Sequence, residues 1–133
     1  MFSIFRRPYP RAMTIFAMAV FVSLSPGSLQ AAETISFSED IAPIIQIRCL
    51  ECHKPGGEGF IKSGFDLSTY EGVMKGTKFG AMVIPGNAFM SNLMVMIDGR
   101  IAPEFRMPHN KKKLSICEQK LFRRWINQGA KDN

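Results

Sequence analysis

The stretch Cys49-Leu50-Glu51-Cys52-His53, "CLECH", sets two thiols three residues apart and an imidazole directly after the second. Three chemistries use such a cluster: covalent attachment of haem, one half of a zinc site, and disulfide exchange. Each demands different surroundings, so the flanking residues decide among them.

Upstream, "SFSEDIAPIIQIR" (36–48) opens on serine and acids and carries Ile41, Ile44, Ile45 and Ile47. That pattern predicts a helix with one buried face. Asp40 reads as its N-cap, and Pro43 then falls in the first turn, where its missing N–H bonds nothing. Downstream, "KPGGEG" (54–59) stops the helix. The thiols therefore follow a helix, whose C-terminal dipole disfavours a thiolate. No strand precedes them either, so disulfide exchange fits poorly. Zinc would want a second close pair, whereas His109 and Cys117 are separated by a lysine run. A Cys/His zinc module stands as an alternative. Haem attachment uses every position. Residues three apart on a helical turn lie on one side, so Cys49 and Cys52 can both add to vinyl groups along one porphyrin edge. His53 then reaches the iron.

The first thirty residues agree. "MFSIFRRPYPR" is basic, "AMTIFAMAVFVSL" is apolar and "SPGSLQAAE" brings breakers and small residues. This is the order of a secretory signal peptide over residues 1–32. The apolar run is shorter than the ~20 residues that span a bilayer, so an uncleaved anchor is the lesser alternative. Residues 33–133 would form the mature domain, in the periplasm and membrane-attached only if the leader stays. All eleven acids and fourteen of the seventeen bases lie in it. That mild excess, without interleaved aromatics, does not suggest nucleic acid. Three cysteines exclude a framework of several disulfides.

Further along, Ser68 or Thr69 can cap a short helix near Ser68–Lys75, in an otherwise glycine-broken centre. "IPG" (84–86) reads as a turn. "NAFMSNLMVMI" (87–97) reads as a helix with Phe89, Leu93 and Met96 inward. "APEFRMPHNKKK" (102–113) is a loop. "LSICEQKLFRRWINQG" (114–129) is the clearest element. Ser115 and Glu118 form a capping-box pattern, Ile116, Leu121, Phe122 and Trp125 an apolar stripe, and Gly129 the stop. Cys117 reads as a small buried hydrophobe on that helix.

With these pieces in hand, the chain resembles small mono-haem cytochromes c of the class I type. It is most similar to the planctomycete-type cytochrome c domain. The resemblance rests on "SEDIAPII", "CLECH", "FDLSTYEGVMKG", "IPGNAFMSNL", "RMP" and "LFRRWINQGA", spread over Phe37 to Ala130. It implies an all-α fold, three to five helices packed round one covalently attached haem c, with the first and last helices crossing. It also implies single-electron carriage rather than catalysis, between redox partner proteins that include membrane-bound respiratory or photosynthetic complexes.

The resemblance also places a methionine ligand at "RMP", making Met107 the partner of His53 on the iron. The residues agree, because Met107 sits in a proline-bounded loop without apolar periodicity. The other mature methionines lie among apolar neighbours, where methionine fills cores. His/Met ligation is the usual electron-transfer pair. His109, two residues on, is the rival. If the distal ligand were labile, the iron could instead bind a gas or reduce peroxide. Arg106, Tyr70 and Trp125 are candidate donors to the haem propionates, and Lys111, Lys112 and Lys113 to a surface that steers an acidic partner.

Overall fold

The computed structural model describes residues 33–133; the leader or anchor read over residues 1–32 lies outside the described residues. The terminal helix, α5 (Ile116–Asn127), begins as its sequence dictates. Ser115 Oγ accepts from the Glu118 N–H at 3.2 Å, and Glu118 Oε2 accepts from the Ser115 N–H at 2.6 Å. Two N–H groups that the helix leaves unpaired are thereby satisfied. Its inner face is Phe122, Trp125 and Ile126, all essentially buried, with Leu121 beside them. Ile116 and Cys117 do not join that face: Ile116 is 71 % exposed and Cys117 is exposed too. At 3.6 residues per turn the stripe runs back from Phe122 through Glu118. Ile116 and Cys117 point more than roughly 90° away from it.

The first helical segment is split. Ser36, not Asp40, is the cap: its Oγ accepts from the Glu39 N–H at 3.2 Å, while the Asp40 carboxylate returns the bond to the Ser36 N–H at 2.8 Å. A wide π-helical turn (Phe37–Ile41) leads into α1 (Ala42–Arg48), with Pro43 in the first turn of α1 as expected. Ile41 and Ile45 are buried and Ile44 partly so, but Ile47 is 80 % exposed. The buried row continues through Arg48, one residue beyond. The crossing with α5 falls on the π turn, where the Phe37 ring lies 5.5 Å from Trp125 and 5.2 Å, edge-on, from Tyr70.

Between these lie three short helices. α2 (Glu58–Ser63) occupies part of the stretch expected to be loop; Gly57 is its cap and Gly64, left-handed, ends it. α3 (Tyr70–Lys75) is capped by Thr69, whose hydroxyl accepts from the Gly72 N–H at 3.1 Å. α4 (Asn92–Asp98) turns Leu93, Met94 and Ile97 inward, with Met96 at the core's edge. Phe89 is not among them. It precedes the helix in a turn, 66 % exposed, under the Arg100 guanidinium at 4.6 Å. The fold is all-α, with five α-helices and no named strand among the described residues. None of those helices is long and apolar enough to cross a membrane. At the far end of the sequence, the Asn133 carbonyl accepts from Ser36 Oγ (2.6 Å) and the Ser38 N–H (3.1 Å), and Asn133 Oδ1 from the Phe37 N–H (3.0 Å).

Candidate functional site

The five-residue cluster continues α1 as a helical turn. The N–H groups of Cys49 and Leu50 both bond the Ile45 carbonyl, at 2.8 and 2.9 Å, and those of Cys52 and His53 both bond the Cys49 carbonyl, at 3.2 and 3.1 Å. Both thiols are half-buried and unlinked. Neighbouring elements pin the turn: Phe60 N–H, from α2, donates to the Cys52 carbonyl at 2.9 Å, and Leu67 N–H to the His53 carbonyl at 2.8 Å. Burial pushes the Cys49 thiol up to about 11 against the opposing pull of Arg48. It is a protonated thiol at neutral pH, unsuited to disulfide exchange.

His53 is packed edge-on against Phe65, ring centroids 5.8 Å apart. Its Nδ1 is buried with no hydrogen-bond partner. Burial lowers the imidazole pKa, with the Phe65 backbone acting the other way. The ring is thus held neutral, the form that ligates a metal. Gly59, in the first turn of α2, lies directly against the ring.

The loop that carries Met107 is brought to this turn. Met107 N–H donates to the Met96 carbonyl at 3.2 Å, hanging the loop from α4. Lys111 pairs with Glu51, inside the cluster, and Arg48, just before it, donates to the carbonyls of Lys112 (2.5 Å) and Lys113 (3.1 Å). The other methionines divide differently. Met82 and Met94 are core, Met74 and Met96 pack against it and Met90 is exposed, whereas Met107 is half-buried and outside the core cluster. His109 is exposed and close enough to Glu58 to help hold that carboxyl below its ordinary range, though the Lys62 ammonium, 2.5 Å away, does most of this.

Two free thiols on one turn, an adjacent buried ring nitrogen without a partner, and a glycine where a side chain would strike the ring together fit a covalently held, imidazole-ligated haem. Residues 49–109 match the planctomycete cytochrome C family. The match runs from the first thiol to His109, and the resemblance read from the sequence holds over that segment. A cytochrome c domain of this kind implies haem c binding. No curated protein and no solved structure gave a match.

The other candidates are engaged elsewhere. The Tyr70 hydroxyl is committed to the Ala130 carbonyl at 2.9 Å and the Trp125 indole N–H to the Lys131 carbonyl at 2.9 Å, so both serve the C-terminal segment. Arg106 Nε donates to the Ile101 carbonyl at 3.3 Å within its own loop. Among the described residues no three of His, Cys, Asp and Glu form a metal-holding group, which leaves the zinc alternative without a ligand set. Gly59 and Arg48 escaped the sequence reading. The glycine cluster after the motif was the signal for the first; nothing local marked the second.

Proposed function

We propose that the chain is an exported mono-haem cytochrome c that relays single electrons, with Cys49 and Cys52 holding one haem and His53 and Met107 as its axial ligands. The observation that carries this reading is the CLECH turn itself: unlinked thiols beside an imidazole whose buried Nδ1 has no partner, with the loop after Met107 fastened to the same turn. Bound haem c supplies a ferric–ferrous couple. His53 contributes a neutral nitrogen, fixed by backbone bonds on both sides of the turn. Met107 contributes a soft thioether, which raises the potential relative to a second histidine. With His53 and Met107 both holding the iron, no position on it would stay open for a substrate, so the reading is a carrier and not an enzyme. Export favours the periplasm, and redox proteins, including membrane-bound complexes, are the partners such a carrier serves. Exposed Lys112 and Lys113 suit an acidic one.

Haem staining of the mature protein on a denaturing gel, followed by oxidised and reduced spectra, tests the proposal. Stain retained after denaturation supports thioether attachment, and colourless protein defeats it. A Met107→Ala protein should keep its stain and lose the far-red band of thioether-ligated ferric iron. Carbon monoxide binding to the reduced wild type at neutral pH as fast as to Met107→Ala, with no delay for methionine to detach, would instead favour the gas- or peroxide-reactive version.

A further inference from the structure

One guanidinium joins the haem-attachment turn, the loop after Met107 and the start of α5. Arg48 is half-buried, with 23 % of its side chain exposed. Its Nη2 donates to the carbonyls of both Lys112 (2.5 Å) and Lys113 (3.1 Å), and its Nη1 meets Glu118 Oε1 at 3.3 Å. The other oxygen of Glu118 is already held by the Ser115 N–H at 2.6 Å. Both faces of the fork are therefore used at once, one on the loop and one on the helix cap. Lysine offers a point charge on a flexible stem and cannot reproduce this planar, two-sided grip. Because Arg48 is the residue before Cys49, whatever fixes the thiols also fixes the anchor of the loop.

We propose that Arg48 is the positioning residue of the sixth-ligand loop: it holds the segment bearing Met107 against the attachment turn, and so sets how readily the methionine leaves the iron. The inference rests on the axial assignment above. It acts through the two loop carbonyls, with the exposed Glu51–Lys111 pair as a weaker second tie, since ion pairs at such exposure contribute little.

The test is carbon monoxide binding to the reduced holoprotein, where methionine must first detach. Arg48→Gln should bind carbon monoxide faster by about tenfold or more, the scale of losing hydrogen bonds to a charged group. Its ferric far-red band should be weakened. Arg48→Lys should fall between Arg48→Gln and wild type, which keeps the test alive if Arg48→Gln does not fold. Thr69→Ala, which removes the cap of α3, supplies a stability control: it should lower the melting temperature and leave the carbon monoxide rate at the wild-type value. Wild-type rates in both Arg48 variants, with a far-red band that Met107→Ala abolishes, would overturn the inference and leave the axial assignment standing. If Met107→Ala keeps the wild-type spectrum, the assignment itself fails and the inference falls with it.

Discussion

Gly59 touches the imidazole of His53 so closely that a Cβ on it would stand 2.8 Å from Cε1 and 2.9 Å from Nε2. The Cys52 carbonyl, at 3.0 Å, closes the other side. Two effects then oppose each other in Gly59→Ala. Alanine favours the helix by about 1 kcal/mol, while the added methyl must displace the ring or the backbone of the attachment turn. The contact decides, because that backbone is bonded on both sides and cannot give. The variant is expected to yield less haem-loaded protein with a shifted spectrum, measured as the ratio of Soret to protein absorbance. An unchanged ratio would show that the ring moves freely.

The carboxyl of Glu118 accepts from the Ser115 backbone and hydroxyl and is held below its ordinary value of 4.5, with Arg48 adding to the effect. A depressed carboxyl pKa contributes stability that is complete above the ordinary value and is lost as pH falls through the depressed one. Glu118→Gln should therefore be less stable than wild type at neutral pH, and the gap should close as the pH falls below the ordinary carboxyl value and through the depressed one. Thermal melting across that range measures it. Ser115→Ala should cost about 1 kcal/mol, the worth of a helix N-cap.

Two isoleucines on α5 should behave oppositely. Ile126 is fully buried, and Ile126→Ala should cost about 2–5 kcal/mol through lost burial and the cavity left behind. Ile116, 71 % exposed, should lose no more than about 0.5 kcal/mol on the same change. Cys117→Ser should be as mild, and Cys117 should react with a thiol reagent in the folded, haem-loaded protein. Denaturant unfolding and thiol titration check these outcomes. Comparable losses at Ile116 and Ile126 would restore the stripe first read from the sequence.

Tyr70→Phe removes the hydroxyl that holds the Ala130 carbonyl. It should cost about 1 kcal/mol, the net worth of one hydrogen bond, and leave the haem spectrum as it was. A spectral change would return Tyr70 to the cofactor's surroundings.

What could be read in advance was whatever short-range chemistry dictates. Ser115 with Glu118, Thr69 before α3 and Pro43 in a first turn all act within four residues of themselves, and each is where local rules put it. CLECH was legible as a turn closing α1 for the same reason, since its backbone bonds run to Ile45 and Cys49, no more than five residues away. The errors came where packing chooses. Ile116 and Cys117 are apolar but lie off a face defined by Trp125 and Ile126. Phe89 lies ahead of α4, under Arg100. α2 has no buried residue to reveal it by periodicity. Arg48 was invisible because its partners are carbonyls 64 and 65 residues away, and every residue type carries a carbonyl.

The bonds from Ser36, Phe37 and Ser38 to Asn133 bring the beginning and end of the described chain to one edge. A short peptide from Asn133 back to Glu33 would therefore close the polypeptide into a ring with little distortion. New ends could be cut at the exposed tip near Phe79. By chain-entropy reasoning, circularisation should stabilise the domain by roughly 2–4 kcal/mol, as a long cross-link does. The same proximity means that one tether at that edge would let the domain be inserted whole into a host protein.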